Sequence, residues 1–480
     1  MRGGLRTALM ELLSSTTGKV GVIFLLVMLL ISLYAVVTNP LDFGTRLWNN
    51  PAAWADNPKN VPPAWTGFFD GSRRVTHTVF EASEPSEARE TTRGTESVYT
   101  FNLDYTFDEA PTFTSFSMQN VTYYGSPPSI SVSMIRPDGK SLNLYRFVVP
   151  APRNGETSPI QRYQQAPYRV HLSGEPSVAV NVTQFLQDEF QVNVSSSRLV
   201  GDTDKAVFGT TNAERGDGYE PLKGAYQIVV VARSDDPRDS IEGVKFVVGG
   251  SQFGLMGTDS TGRDLARGLI FGFPVALAIG LITAIMATVI GTTMGIISGY
   301  TGGKTDIAIQ RFSDVLSNIP LLPILMFLAF TLGQKLWIVI AILIVFGWPG
   351  MTIVIRSMVL QIRSGQLVEA SMSLGASRWR IMLRHIFPQM APFVFAQMIF
   401  FTPAAILAEA GLSFLGLGDP SIPTWGQILD QGFRTGAVYV GYWWWVMPPG
   451  ILIVLTALTF VLIALGMERV VDPRLRAVRQ

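Results

Sequence analysis

Six long apolar runs punctuate this 480-residue chain, near residues 20–37, 271–297, 314–332, 336–355, 392–416 and 443–466. A helix needs about 20 such residues to cross a hydrocarbon core. In lipid every backbone polar group must be satisfied within its own segment, so runs of this kind predict membrane helices. The composition agrees, with 48% hydrophobic and 15% charged residues, against about 25% charged in soluble domains. The third run is the poorest helix of the six, because Asp314 and Pro320 fall in its first turns. Arg2, Arg6 and Lys19 precede the first run in the manner of a signal peptide, but no small-residue cleavage site follows cleanly, and the run reads as a retained anchor.

Lys and Arg collect in the short cytoplasmic loops of membrane proteins. With the N-terminus inside, the inner segments hold Arg2, Arg6 and Lys19, then Lys304 and Arg311. They continue with Arg356, Arg363, Arg378, Arg380 and Arg384, and end with Arg469, Arg474, Arg476 and Arg479. The short outer loops hold only Lys335 and Arg434. Both termini are therefore expected in the cytoplasm and residues 38–250 outside it.

Residues 38–250 change period. Tyr99, Phe101, Leu103, Tyr105 and Phe107 alternate along one face, as do Ile130, Val132 and Met134, and Pro137-Asp138-Gly139 makes a turn into Leu142 and Leu144. Val178–Val182, Tyr226–Val231 and Val244–Val248 read as further strands. Alternation broken by turns predicts a two-layer antiparallel domain, a sandwich in preference to a barrel. Glu81 to Glu96 reads as a solvated acidic loop, and the aromatic face at 99–107 as core.

Between the fourth and fifth runs lies Glu369-Ala370-Ser371-Met372-Ser373-Leu374-Gly375-Ala376-Ser377-Arg378-Trp379-Arg380, followed by Ile386-Phe387-Pro388. Leu367 to Ser373 predicts a short helix that Gly375 ends, since glycine tolerates left-handed backbone angles. Arg378 opens a second, amphipathic helix that Pro388 and Pro392 are expected to break. On spacing alone this is either a rigid knob for a partner or an ordinary connector.

The segment, spanning about 365–388, resembles the EAA loop of ABC-importer permeases: Glu-Ala-Ala, three residues, Gly, then Ile-x-Pro after a spacer. Ser371 stands where the family has Ala, and Phe387 where Leu is usual. Three further segments resemble the oligopeptide/dipeptide/nickel branch, and its C-type subunit in particular. They are Gly257-Thr258-Asp259-Ser260-Thr261-Gly262-Arg263-Asp264; Gly299 to Asp306; and Leu412 to Gly418 with Pro423-Thr424-Trp425-Gly426 and the terminal Asp472 to Arg476. The resemblance implies a type I ABC-importer-like fold of six transmembrane helices, here with an inserted extracytoplasmic all-β domain that has no counterpart in the usual short loop. It implies a five-helix core over 251–480 after the first helix at 1–37. It also implies that Glu369, Ala370, Ser371, Leu374, Gly375 and Arg378 dock an ATPase. The expected partners are a second homologous permease, two ATP-binding-cassette ATPases carrying the ATP and magnesium, an extracytoplasmic substrate-binding protein and the lipid bilayer. No cofactor is expected on this chain itself.

Other chemistries are excluded or set aside. The chain has no cysteine, which removes disulfides, thiol catalysis and zinc–thiolate sites, and its net charge of +1 offers no field for nucleic acid. His77, His171 and His385 are far apart and form no metal motif. Gly303-Lys304-Thr305 lacks the earlier glycine of a phosphate-binding loop, with Ser298 in its place. The runs carry almost no ionisable residue, which argues against a proton relay. Glu409 has two readings, a pathway or gate residue or a helix-end group paired with the next loop; Gln397 and Phe414 are the other pathway candidates. Gly280, Gly291 and Gly295 allow close helix approach, and Trp443-Trp444-Trp445 reads as an interfacial belt. A signalling or mechanotransmission subunit is the competing function. A membrane-anchored enzyme finds no nucleophile–base pair.

Overall fold

The computed structural model describes residues 12–40, 42–91, 94–211 and 219–471. Arg2, Arg6 and the segment from Asp472 to Arg479 lie outside them. The chain forms two compact units, Ala52–Asp264 and the remainder. Both boundaries fall further along the chain than the change of period suggests. The reason is that residues 57–64 and 253–262 hydrogen-bond to each other, as in Asn60 N–H to Asp259 O at 2.9 Å and Ala64 N–H to Gly254 O at 2.9 Å.

The first helix lying wholly within the described residues of the helical unit is α1, Thr16–Thr38, whose N-cap Ser15 accepts from Gly18 N–H. The other unit follows and is antiparallel throughout its named strands. One sheet contains β1 (Thr78–Ala82), β12 (Ser240–Val248), β4 (Thr114–Tyr123) and β7 (Ile160–Arg162), with β8 (Tyr168–His171) also on β4. The second runs β2 (Glu87–Thr91), β3 (Gly94–Tyr105), β11 (Gly224–Ser234), β5 (Ser129–Ile135), β6 (Ser141–Val148). A short ribbon pairs β9 (Gly209–Thr211) with β10 (Tyr219–Pro221). Register places Phe101 opposite Ile228 and Ile228 opposite Met134, all buried, so the period-two residues form one inward layer. That layer shares a core with Phe116, Met118 and Phe246 of the other sheet, which makes the unit a sandwich.

Two expectations fail here. Val178–Val182 is no strand but part of α2, Pro176–Phe190. Val178, Val182, Phe185 and Leu186 recur at helical spacing and are buried, and Pro176 sits in the first turn where its missing N–H costs nothing. The helical period, which extends beyond the five-residue run, decides the structure. The stretch Glu81–Glu96 is solvated as expected but is not a loop: β2 pairs with the start of β3, Arg89 opposite Glu96, with every β2 residue exposed.

The helical unit continues with α3 (Leu265–Thr301), α4 (Gly303–Asn318), α5 (Leu321–Leu332), α6 (Leu336–Arg363), α7 (Gln366–Ser373), α8 (Arg378–Phe414), α9 (Trp425–Arg434) and α10 (Trp443–Val471). Glycines at four-residue intervals on α3 let α6 approach closely. A Cβ at Gly291, Gly295 or Gly299 would lie 2.7 Å from a Cβ of Met351, Ile355 and Val359 respectively. Gly280 meets Ile406 of α8 in the same way.

The third predicted span is not one straight helix. α4 and α5 meet at 80°. Ile319 is held extended (φ −79°, ψ 125°) because a residue before proline is barred from the helical region, and Pro320 lacks the N–H to continue. The 12 residues of α5 rise about 18 Å, short of a hydrocarbon core of about 30 Å. Among the described residues five single helices are long and apolar enough to cross, six if the bent pair counts as one. Nor do Pro388 and Pro392 break the helix that opens at Arg378. The chain widens into a π-turn over Met382–Ile386, with Phe387 N–H bonded to Met382 O, and α8 continues to Phe414.

Candidate functional site

The most chemically distinctive surface of the helical unit is the reversal between α6 and α8. α7 ends on Leu374, and Gly375 takes a φ of 74°. Gly375 N–H bonds to Met372 O at 2.9 Å and Ala376 N–H to Ser371 O at 3.1 Å, the paired bonds of a Schellman cap. Ser377 then caps α8 by accepting from Arg380 N–H. The two helices and their tight turn are thus one hydrogen-bonded piece.

That piece has an inner and an outer face. Val368 and Ile381 are buried with Ile296, Tyr300, Ile355, Val359, Ile386 and Met390 in one cluster, which seats the loop on the ends of α3 and α6. Ser371 is buried too, its hydroxyl turned back onto Leu367 O at 2.7 Å. The other predicted residues, Glu369, Ala370, Leu374, Gly375 and Arg378, are exposed. Leu374 is 88% exposed and Trp379 61%, with Met372 and Leu383 also uncovered. Together they make an exposed apolar patch on a rigid element, the kind of surface that interaction sites carry.

Beside the loop is a cluster that sequence reading missed. The Arg356 guanidinium of α6 donates two bonds to the Asp306 carboxylate of α4, Nε to Oδ1 and Nη2 to Oδ2, each 2.6 Å. The Ser298 hydroxyl of α3 also bonds Asp306, and Gln310 Nε2 donates to that hydroxyl at 3.0 Å. Three helices are pinned at one point. The available signal was Asp306 itself, an acid among the basic residues of the inner loops.

The pathway candidates separate. Gln397 and Phe401 line a cavity of about 210 Å³ with Ala287, Thr288, Gly347, Gly350, Met351, Val354 and Phe393. Glu409 is buried within the unit; Ser413 donates to its carboxyl at 2.6 Å and Thr424 bonds it too. The carboxyl is thereby tied to the loop after α8, the helix-end arrangement. Phe414 is half-buried, edge-on to Phe433 with centroids 5.6 Å apart.

The remaining motif residues serve packing. Asp259 is fully buried, accepting from Thr261 N–H (2.8 Å), the Thr261 hydroxyl (2.7 Å), Arg263 N–H (3.0 Å) and the Arg263 guanidinium. Trp425 Nε1 donates to Leu269 O at 2.9 Å, and a Cβ at Gly426 would meet Ala410 O at 2.5 Å. Among the described residues no cluster of His, Asp or Glu could hold a metal ion.

Residues 291–477 match the family model of the binding-protein-dependent transport system inner membrane component. The chain is 35% identical over 221 residues to the dipeptide transport system permease protein DppC of Bacillus subtilis, covering 46% of this chain and 68% of that one. It is 32% identical over 221 residues to the oligopeptide transport system permease protein OppC of Haemophilus influenzae, covering 46% and 70%. A solved inward-facing form of the MetNI methionine ABC transporter aligns over 45% of this chain and 96% of that one at 23% identity, with a TM-score of 0.35, too loose a likeness to carry an argument. These relatives give no support to a signalling subunit. The chain therefore belongs to the permease family of binding-protein-dependent ABC importers, as a C-type membrane subunit of the oligopeptide and dipeptide branch.

Proposed function

We propose that this multi-pass inner-membrane protein forms half of a peptide translocation pathway, with a second homologous permease as the other half. Energy comes from two separate ATPase subunits that carry ATP and magnesium, and a substrate-binding protein delivers the solute. Both termini lie in the cytoplasm and the β unit lies outside.

The observation that carries this reading is the capped α7 reversal. It is clamped to the membrane helices by Val368 and Ile381 and exposes Glu369, Leu374 and Trp379. A groove on an ATPase that moves this knob would move α3, α6 and α8 with it, because their ends share its core. The cavity at Gln397 is a candidate stretch of the pathway: glycines leave its wall smooth, and a side-chain amide can both donate to and accept from a passing peptide bond.

The test is copurification. An ATPase subunit is expected to purify with the wild-type chain and to be lost from the Glu369→Ala, Gly375→Val double variant, while the variant still inserts. An ATPase retained in full by the inserted variant would show the coupling assignment to be wrong. Uptake of a labelled dipeptide, set against a labelled oligosaccharide and nickel, tests the solute.

A further inference from the structure

A polar cavity of about 230 Å³ lies in the helical unit, its walls including Ser413, Gly416, Gly418, Gln427, Asp430 and Arg434. All of its lining residues belong to that one unit. It sits where α8 ends and just before α6 begins, whereas the α7 reversal joins the other ends of the same two helices. The 28 residues of α6 rise about 40 Å between the two places.

One wall is a guanidinium laid against bare backbone. A Cβ at Gly416 would collide with Arg434 Nη2, and one at Gly418 with the Ser413 hydroxyl. Gly416 also takes a φ of 76°, which glycine adopts without strain. Arg434 Nε donates to Asp430 Oδ1 at 2.7 Å, one turn back on α9. Among the described residues that is the guanidinium's one hydrogen bond, so both Nη groups are left for solvent or a ligand.

The other wall holds an acceptor with nothing to accept. Gln427 is 7% exposed, and its Nε2 donates to Asp419 O, which fixes the nitrogen end of the amide. Its Oε1 is buried and has no donor among the described residues. A buried acceptor left unmet is costly, and here it belongs to a residue that lines a cavity. Gln427 and Arg434 stand seven residues apart, two turns along one face of α9.

One ligand chemistry answers both walls: a carboxylate, which a guanidinium binds through paired N–H groups, with an N–H donor close by. The end of a peptide carries both. We propose that this cavity is a transit subsite for the C-terminal end of a short peptide, with the carboxylate on Arg434 and a main-chain N–H on Gln427 Oε1. Asp430 offsets part of the guanidinium charge, so the carboxylate is held weakly enough to be released, as passage requires. Gln397 lies 16 residues back along α8 from Ser413, about 24 Å further on. The assignment rests on the peptide reading and orientation proposed above, which put this end of the unit where solute arrives.

The chain has no cysteine, so Gln431→Cys on the cavity wall gives it a single thiol. The full chain, with the membrane and ATPase subunits that purify with it and without a binding protein, is placed in nanodiscs. Alkylation of that thiol by a maleimide is timed with alanylalanine or with alanylalanine amide. The acid is expected to slow alkylation several-fold more than the amide. Arg434→Gln should erase the difference, and Gln427→Leu should raise several-fold the acid concentration needed. The Arg434 side chain is 63% exposed, so its loss spares the core. Equal protection by acid and amide, or none by either, would overturn the subsite, as would an acid preference that survives Arg434→Gln. Protection that appears only when a binding protein is added would overturn it too, because the cavity would then be a docking contact. Uptake of alanylalanine by the unsubstituted complex keeps the two readings apart. Uptake with an unprotected thiol sinks the subsite alone, and absence of uptake sinks the peptide reading.

Discussion

The two units bury polar groups for opposite purposes. In the helical unit several buried hydroxyls turn back on their own helix: Ser32 to Met28 O at 2.7 Å, Thr456 to Leu452 O at 2.8 Å, Thr459 to Leu455 O at 2.7 Å. In the β unit buried polar groups join distant segments. Arg136 donates to Ala206 O, Val207 O and Gly209 O at 3.0, 2.8 and 2.9 Å, and Thr114 donates to Asp204 at 2.7 Å. A membrane helix must be self-sufficient in lipid, so its polar groups are satisfied locally and its neighbours are chosen by shape. A β unit needs long-range polar contacts to hold segments that lack regular pairing. Substitutions at polar sites should therefore damage the β unit most, and substitutions of small residues the helical unit.

The largest effect is expected at Arg136. Its guanidinium is fully buried, backed by Phe185 and Phe190, and carries three carbonyls of the segment 206–209. Arg136→Met keeps the stem but orphans those carbonyls, at a cost of about 3–5 kcal/mol. Urea unfolding of the full chain, read by protease cleavage within residues 52–264, should show the loss while α3–α10 stay folded. An unchanged midpoint would mean that water replaces the guanidinium at little cost, and the contrast between the units would weaken.

How much of this was legible in sequence follows the same division. Apolar runs and glycine spacing announced the membrane helices, because lipid imposes length and local satisfaction. Alternation announced the paired strands at Tyr99–Tyr105 and Tyr226–Val231, since one face is buried. It failed at Val178–Val182, where five residues cannot distinguish strand from helix. The bend at Ile319 was written in Pro320, yet an apolar run continuing past the proline hid it. Of the candidate site, the α7 reversal was legible because Gly375 must take a left-handed angle. The seating of Val368 and Ile381 was not, because it depends on Ile296 and Tyr300 of α3, distant in sequence, as well as on Ile355 and Val359 of α6. The Asp306–Arg356 pair was missed for the same reason, as nothing local couples positions on two helices.

The second prediction concerns Asp204, fully buried in the β unit and pushed up to about 6 by burial, with bonds from Ser173 and Thr114 only partly offsetting it. A carboxyl whose folded value lies above its unfolded one, about 3.9, leaves the folded state holding the extra proton. Stability then falls as pH rises between about 4 and about 6. The ionised group costs about 2–3 kcal/mol at neutral pH. Asp204→Asn should abolish that fall. Parallel unfolding curves from pH 4 to 7 for the parent and the variant would remove Asp204 as the cause.

A smaller loss is expected at Gly295, where the helical unit depends on shape. A methyl there would lie 2.7 Å from Ile355 Cβ and 2.9 Å from Thr352 O, and a backbone carbonyl has little room to yield. Gly295→Ala should cost about 1–3 kcal/mol by overpacking. The loss is expected as a lower melting temperature in detergent with no change in protease cleavage within 52–264. A neutral result would show that α3 and α6 can separate freely.

The Asp306–Arg356 pair is one exception to the division, a long-range ion pair in the helical unit. Its exposed side limits its worth: the side chains of Arg356 and Asp306 keep 31% and 15% of their surface in solvent, and ion pairs open to water contribute about 1 kcal/mol or less. Asp306→Asn should accordingly shift the melting temperature little, and less than Gly295→Ala. Its consequence should lie in geometry, because the pair joins α4 to α6, and α6 seats the α7 reversal through Ile355 and Val359. Transport per ATP hydrolysed should drop in Asp306→Asn with ATPase binding intact, and the charge-swapped Asp306→Arg, Arg356→Asp chain should recover part of it. A fall in stability as large as at Gly295, with normal coupling, would make the pair a structural staple, and the two units would then differ less than their buried hydroxyls imply.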